Sequence, residues 1–269
     1  MEPVDQRPRT LRSLFDDVAD DYDAIRPGYP AALIDDIAAT LPSPDEARIL
    51  EVGCGTGQAT LPFAQRGYGM LCLDIGPALA ARAAERCRPY PKVRIEVAAF
   101  EEWPAQPATF DLLMSATAFH WIPPEVGYPK AAQILKPTGR LAIFSNEHPT
   151  PVTGFFAEAQ AIYRRFVPQW NNVPDSPALE ERIAATAARI NATALFEPVV
   201  VKTYAWSQTY TAQQHIRLLN TYSDHRNLPP EQRRQLFQAL ADLIDASYGG
   251  AVTKPYLAVL YLARKRSSS

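Results

Sequence analysis

The chain reads as an α/β fold built on a mostly parallel sheet of seven strands. Three observations carry that expectation. Short apolar runs alternate with segments of helical period over most of the chain. The first strong run, Ile49-Leu50-Glu51-Val52, flows into Gly53-Cys54-Gly55-Thr56-Gly57, which reads as a tight turn before a helix. The next run, Met70-Leu71-Cys72-Leu73, ends in Asp74, at the strand edge where open α/β sheets hold their ligands.

The elements follow in order. Residues 1–9 show no period, and residues 11–22 place Leu11, Leu14, Phe15 and Val18 on one helical face. Two prolines and a glycine in Arg26-Pro27-Gly28-Tyr29-Pro30 force a turn. Residues 31–41 form a helix stopped by Pro42-Ser43-Pro44, and residues 48–52 the first strand. A helix over 58–66 ends at Gly67, and the second strand ends at Asp74. A helix over 77–87 then leads to a third strand at 93–97 and a fourth at 110–115. A helix over 125–135, a turn at Lys136-Pro137-Thr138-Gly139 and a fifth strand at 141–144 come next. Two helical stripes run from Phe155 to Phe166 and from Leu179 to Ile190. The remaining elements are a sixth strand at 198–201, helices over 212–222 and 230–248, and a seventh strand at 256–262.

Composition narrows the function. The 269 residues carry a formal charge of −2, so no basic surface points to nucleic acid or an anionic membrane. Three cysteines, Cys54, Cys72 and Cys87, are too few and too irregular for a disulfide framework or a zinc site. The polar start Met1-Glu2-Pro3-Val4-Asp5 lacks an apolar leader, and no run reaches the ~20 apolar residues that cross a bilayer. The expectation is a cytoplasmic protein without a metal, a monomer or homodimer, acting on a small molecule.

The glycine turn narrows it further. Dinucleotide-binding turns space their glycines G-x-G-x-x-G, whereas here the last of those positions holds Gln58. With Glu51 ahead of it, the stretch resembles the cofactor loop of class I S-adenosylmethionine (SAM)-dependent methyltransferases. That resemblance implies a Rossmann-like sheet in the order 3-2-1-4-5-7-6 with the last strand antiparallel. Helices would cover both faces, with a helical lid inserted over the acceptor site.

It also implies SAM as cofactor and S-adenosylhomocysteine as product. Glu51, Gly53, Cys54, Gly55 and Gly57 would hold the amino-acid end. Asp74 would take the ribose hydroxyls, its alternative being a cap for the helix that follows. Ile75 and Leu79 would pack on the adenine. The family usually places an Asp at the position of Ala99, so the adenine would rest on backbone near Phe100 and on stacking. Ser115, Ala116 and Thr117 would line the pocket beside the methyl group, with Trp121 as an apolar or cation-attracting wall.

The run Ala118-Phe119-His120-Trp121 resembles a subgroup that includes trans-aconitate and ubiquinone-biosynthesis methyltransferases. Tyr22 and Arg26 sit in a stretch that resembles the family's N-terminal cap. Arg26 has two readings, a clamp on cofactor or substrate carboxylate and a surface ion pair. His120 also has two, a general base and a packed histidine. His148, Phe155 and Tyr163 are further substrate candidates.

The expected organisation is a cap at 1–30, a SAM-binding core at 31–148, a helical insertion at 149–197 and a completion of the sheet at 198–269. The expected reaction moves a methyl group by in-line displacement onto a small-molecule acceptor, with a carboxylate or hydroxyl oxygen favoured. The alternatives are a nicotinamide-dependent oxidoreductase, which shares Asp74 but not Gln58, and a SAM-binding protein that performs no transfer.

Overall fold

The computed structural model describes residues 25–149, 153–172 and 177–266. The expected helix at 11–22 and the candidate Tyr22 lie outside them. Helix α1 (Ala31–Ala38) precedes β1 (Arg48–Val52), α2 (Thr60–Gln65), β2 (Gly69–Asp74), α3 (Pro77–Cys87), β3 (Val93–Val97) and β4 (Phe110–Ala116). Then come α4 (Pro124–Ile134), β5 (Leu135–Glu147), α5 (Phe155–Phe166) and α6 (Leu179–Ala192). The chain ends through β6 (Val200–Thr211), α7 (Ala212–Asn220), the single turn α8 (Ser223–Arg226), α9 (Pro230–Ser247) and β7 (Ala251–Arg264).

The seven strands form one sheet in the order β3-β2-β1-β4-β5-β7-β6. The first five pair in parallel, and β7 runs antiparallel to both β5 and β6. This is the order and direction that the resemblance implies. Strand order reverses between β1 and β4, so a crevice opens beyond their carboxyl ends, the ligand position of open α/β sheets.

Alternation along the strands builds two cores, one on each face. Leu50, Val52 and Leu113 point to the face covered by α4 and α6 through Tyr128, Ala131, Ile134 and Ile190. Ile49, Leu112 and Met114 point to the opposite face, covered by α1, α2 and α3 through Leu33, Ile37, Phe63 and Ala83. A third cluster joins α5, α7 and α9 over the start of β7, with Leu236, Leu240 and Ile244 fully buried.

Three boundaries differ from expectation. The sequence marks the sixth and seventh strands only at their apolar centres. The observed β6 is an edge strand whose polar residues alternate toward solvent, so its pattern continues to Thr211. Residues 136–139, read as a turn, loop out within β5 as a bulge against β4. Gly139 is needed there, because a Cβ would lie 3.0 Å from the carbonyls of Lys136 and Phe110. Among the described residues no helix is long and apolar enough to cross a membrane.

Helix α7 starts with a capping box, in which Thr211 Oγ1 accepts from the Gln214 amide and the Gln214 side chain accepts from the Thr211 amide. Thr211→Ala is expected to lower unfolding stability by about 1 kcal/mol. Urea denaturation should register this as a lower midpoint at an unchanged slope.

Candidate active site

The turn after β1 is held by its own backbone. The amides of Gly53 and Cys54 both donate to the Leu73 carbonyl, at 2.8 and 3.0 Å. The Gly55 amide donates to Asp74 Oδ2 at 2.7 Å, and the Gly76 amide donates to Asp74 Oδ1 at 2.8 Å. Gly53, Gly55 and Gly57 adopt φ values of 72°, 57° and 89°, where a side chain is strained. A Cβ on Gly53 would sit 2.3 Å from the Ala118 methyl group, so the loop after β4 closes directly over the turn.

Beneath the turn, Glu51 is fully buried. Its Oε2 accepts from Thr60 Oγ1 at 2.6 Å, and its Oε1 has no hydrogen-bond partner among the described residues. Burial pushes its carboxyl up to about 8. Glu51 and Cys54 border a side cavity of about 60 Å³ that shares Gly53, Gly55 and Thr117 with the main one.

The main cavity has a volume of about 960 Å³. At one end Gly53, Gly55 and Asp74 meet an apolar slot formed by Ile75, Leu79 and Phe100. Ala116, Thr117 and Trp121 line its middle. Thr117 holds a φ of 56°, which is costly for a β-branched residue. Its conformation is fixed by its amide bond to the Phe144 carbonyl at 2.8 Å and by a 2.7 Å bond between its hydroxyl and that of Tyr29.

The far end is an aromatic chamber walled by Phe155, Phe156, Tyr163, Trp170 and Tyr222. Here Tyr163 Oη lies 2.9 Å from His225 Nε2, and His225 Nδ1 lies 2.8 Å from Asp224 Oδ1. A carboxylate only accepts, so Nδ1 carries the proton and Nε2 accepts from the Tyr163 hydroxyl. Burial raises the Asp224 carboxyl, but hydrogen bonds from the His225 ring and main chain outweigh it and hold it below its ordinary value. Burial, reinforced by Asp224, pushes the Tyr163 hydroxyl up.

Lys254 and two imidazoles complete the chamber. Burial pulls Lys254 down to about 8. His148 has accessible surface that faces the cavity, and His215 is buried. Desolvation, with Lys254 adding repulsion, pulls both rings down to about 3, so both are neutral near pH 7.

Comparison with known proteins fits this geometry to a family. Residues 49–139 match a family profile described as a methyltransferase domain. An uncharacterized methyltransferase of Mycobacterium tuberculosis is 31% identical over 140 residues, 51% of this chain and 54% of the relative. The chain therefore spans about half the length of the first curated relatives it matches. An uncharacterized methyltransferase-like protein of Schizosaccharomyces pombe aligns over 87% of this chain and 86% of its own length at 24% identity. A trans-aconitate 2-methyltransferase of Variovorax paradoxus is 32% identical over 40% of this chain and 42% of its own length. A provisionally named type II methyltransferase of Anaeromyxobacter dehalogenans shares the fold, with a TM-score of 0.63 at 21% identity over 90% of this chain and 98% of that one.

The segment that matches the methyltransferase profile and the elements around it bring most of the expected residues to one cavity. Arg26, Gly53, Gly55, Asp74, Ile75 and Leu79 line it. So do Ala99, Phe100, Ala116, Thr117, His120 and Trp121, and, at the chamber end, His148, Phe155 and Tyr163. Gly57 and Ser115 do not. Gly57 faces α3, where an added Cβ would lie 3.7 Å from Ala83, and the Ser115 hydroxyl is spent inside the sheet on the Val52 carbonyl at 2.7 Å.

Two readings change. Arg26 donates from Nε and Nη2 to the side chain and carbonyl of Thr221, at 2.9 and 2.8 Å, and lies 4.7 Å over the Tyr222 ring. It thus straps the segment before α1 to the end of α7 instead of standing open as a clamp. The N-cap of α3 is Gly76, and Asp74 accepts from its amide and closes the turn between β2 and α3.

Asp224, His215 and Lys254 carry no sequence motif that marks them. They come from a helix turn, a helix and a strand with no shared spacing. The one available signal was polar residues breaking apolar stripes.

The raised Glu51 carboxyl has a consequence for stability. Its unfolded value is about 4.5 and its folded value about 8, so the folded state binds more protons between them. Stability from this group is therefore present below about pH 4.5 and lost as pH rises toward 8. Glu51→Gln is expected to remove that slope. Scanning calorimetry should give a melting temperature for the variant that gains on the parent from pH 5 to pH 8.

Proposed function

We propose that the chain is a SAM-dependent methyltransferase that moves a methyl group onto a hydroxyl oxygen of a small-molecule acceptor. The observation that carries this reading is the continuity of one cavity. It runs from the glycine turn and Asp74 at one end to the Tyr163–His225–Asp224 chain at the other.

The residues at the first end fit SAM. The unpartnered Oε1 of Glu51, buried beside the turn, suits an ammonium group, whose charge would restore the carboxylate. Asp74 is held at the cavity edge by the amides of Gly55 and Gly76, and its carboxylate suits ribose hydroxyls. Ile75, Leu79 and Phe100 provide an apolar slot for adenine, with Ala99 supplying backbone only. When bound, SAM supplies an electrophilic methyl group on a sulfonium.

The chain's own residues then orient the acceptor and handle its proton. Trp121 and the strained Thr117 fix the middle of the cavity, where positioning governs the rate of an in-line displacement. At the chamber, the acceptor O–H passes its proton to the Tyr163 oxygen as Tyr163 passes its own to His225 Nε2. Asp224 stabilises the imidazolium that forms. His120, exposed on a 3-10 turn, is replaced in this role by the buried His225.

A second reading, transfer to a carboxylate oxygen, is favoured by the relative named as a trans-aconitate methyltransferase. That acceptor is already ionised and needs no proton path.

Two measurements test the proposal. Calorimetry should detect SAM binding and no NAD binding; the reverse would sink it. Incubation with methyl-labelled SAM and fractionated metabolites, read by mass spectrometry, should yield a labelled ether. With that acceptor, His225→Ala is expected to lower kcat by about 10²-fold or more, with SAM affinity unchanged. An unchanged kcat, or a labelled ester, would favour the carboxylate reading.

A further inference from the structure

Lys254 stands out among the charged side chains of the chamber. It projects from β7 into the cavity, with its ammonium 5.1 Å from the Phe156 ring centroid and 5.4 Å from that of Tyr256. Among the described residues no carboxylate lies within ion-pair distance of it. Arg26 is engaged by Thr221 and Tyr222, and His148 and His215 are neutral. Asp224, the acidic residue at this end, bonds the amide and ring of His225.

A cation in an aromatic chamber is costly unless an anion meets it. Two ring faces recover only part of that cost. The depressed Lys254 value registers this shortfall. Such a shortfall is typical of a site whose partner arrives with the ligand. Beside it, His215 is buried with Nδ1 unpartnered, a second polar group awaiting a hydrogen bond.

We propose that Lys254 anchors a carboxylate of the methyl acceptor, and that the acceptor is therefore a flat, largely aromatic hydroxy acid. One ammonium that no described carboxylate pairs matches a monoanion better than a phosphate dianion. The aromatic walls select a planar apolar body between the two polar ends. Pairing with an ammonium lowers a carboxylate's nucleophilicity, so the anchored oxygen is not the one methylated. The hydroxyl, directed to Tyr163, is the acceptor atom. This inference rests on the methyltransferase reading.

The test uses binding of known probes to the full chain saturated with S-adenosylhomocysteine. 4-Hydroxycinnamate and 4-hydroxybenzoate are compared with their neutral amides by calorimetry. The acids should bind at least tenfold more tightly than the amides. Lys254→Met should remove that preference, and Lys254→Arg should keep most of it. SAM affinity should be the same in all three proteins, which separates loss of the anchor from loss of the fold. Equal binding of acids and amides by the parent, failure of both acids to bind, or an acid preference that survives in Lys254→Met would each overturn the proposal. Failure of SAM to bind would instead reject the methyltransferase reading.

Discussion

The site depends on one carboxylate and the strand end that carries it. Asp74 accepts from the amides of Gly55 and Gly76, and the neighbouring Leu73 carbonyl accepts from those of Gly53 and Cys54. Four amides from two adjacent loops thus converge on the end of β2. Each of these amides is spent within the protein, so the ligand edge is a preformed surface and not a slack loop. Hydrogen bonds to an ionised acceptor are stronger than neutral ones, which gives Asp74 the larger share of this hold.

The glycines follow from that arrangement. Gly53 is required by the approach of Ala118 and Gly57 by its φ of 89°, while Gly55 remains at the cavity wall. The same turn presses down on Glu51, whose carboxylate is deprived of water. Packing demands and ligand demands therefore coincide in one short stretch. Sequence inspection cannot separate them, since both ask for a residue without a Cβ.

The opposite end of the cavity is built differently. Its walls come from α5, α7, α8 and β7, and its polar groups are held by single contacts between distant segments. Arg26 reaches Thr221, Tyr163 reaches His225, and Asn146 takes the Gly28 carbonyl at 2.9 Å while accepting from Trp206 at 2.9 Å. This end is mostly aromatic, and no described carboxylate pairs with Lys254 there. The division matches the proposed chemistry: a polar, rigid end for the shared cofactor and an apolar, shaped end for the acceptor.

Much of the fold was legible because its signals are local. Apolar alternation marked the first five strands, and glycine spacing with Asp74 marked the ligand edge and argued against a dinucleotide. The edge strand β6 was underestimated because its solvent face carries the polar residues that read as loop. Ser115 was misread because a small residue after an apolar run fits a pocket wall and a strand-to-strand hydrogen bond equally well. What the sequence determined by itself was the α/β class and the cofactor-type turn, since both rest on the backbone needs of neighbouring residues. Only the tertiary structure decided the chamber, the Tyr163–His225–Asp224 chain and the isolation of Lys254. Those depend on which side chains the sheet order brings together, and on which charges that packing leaves without water.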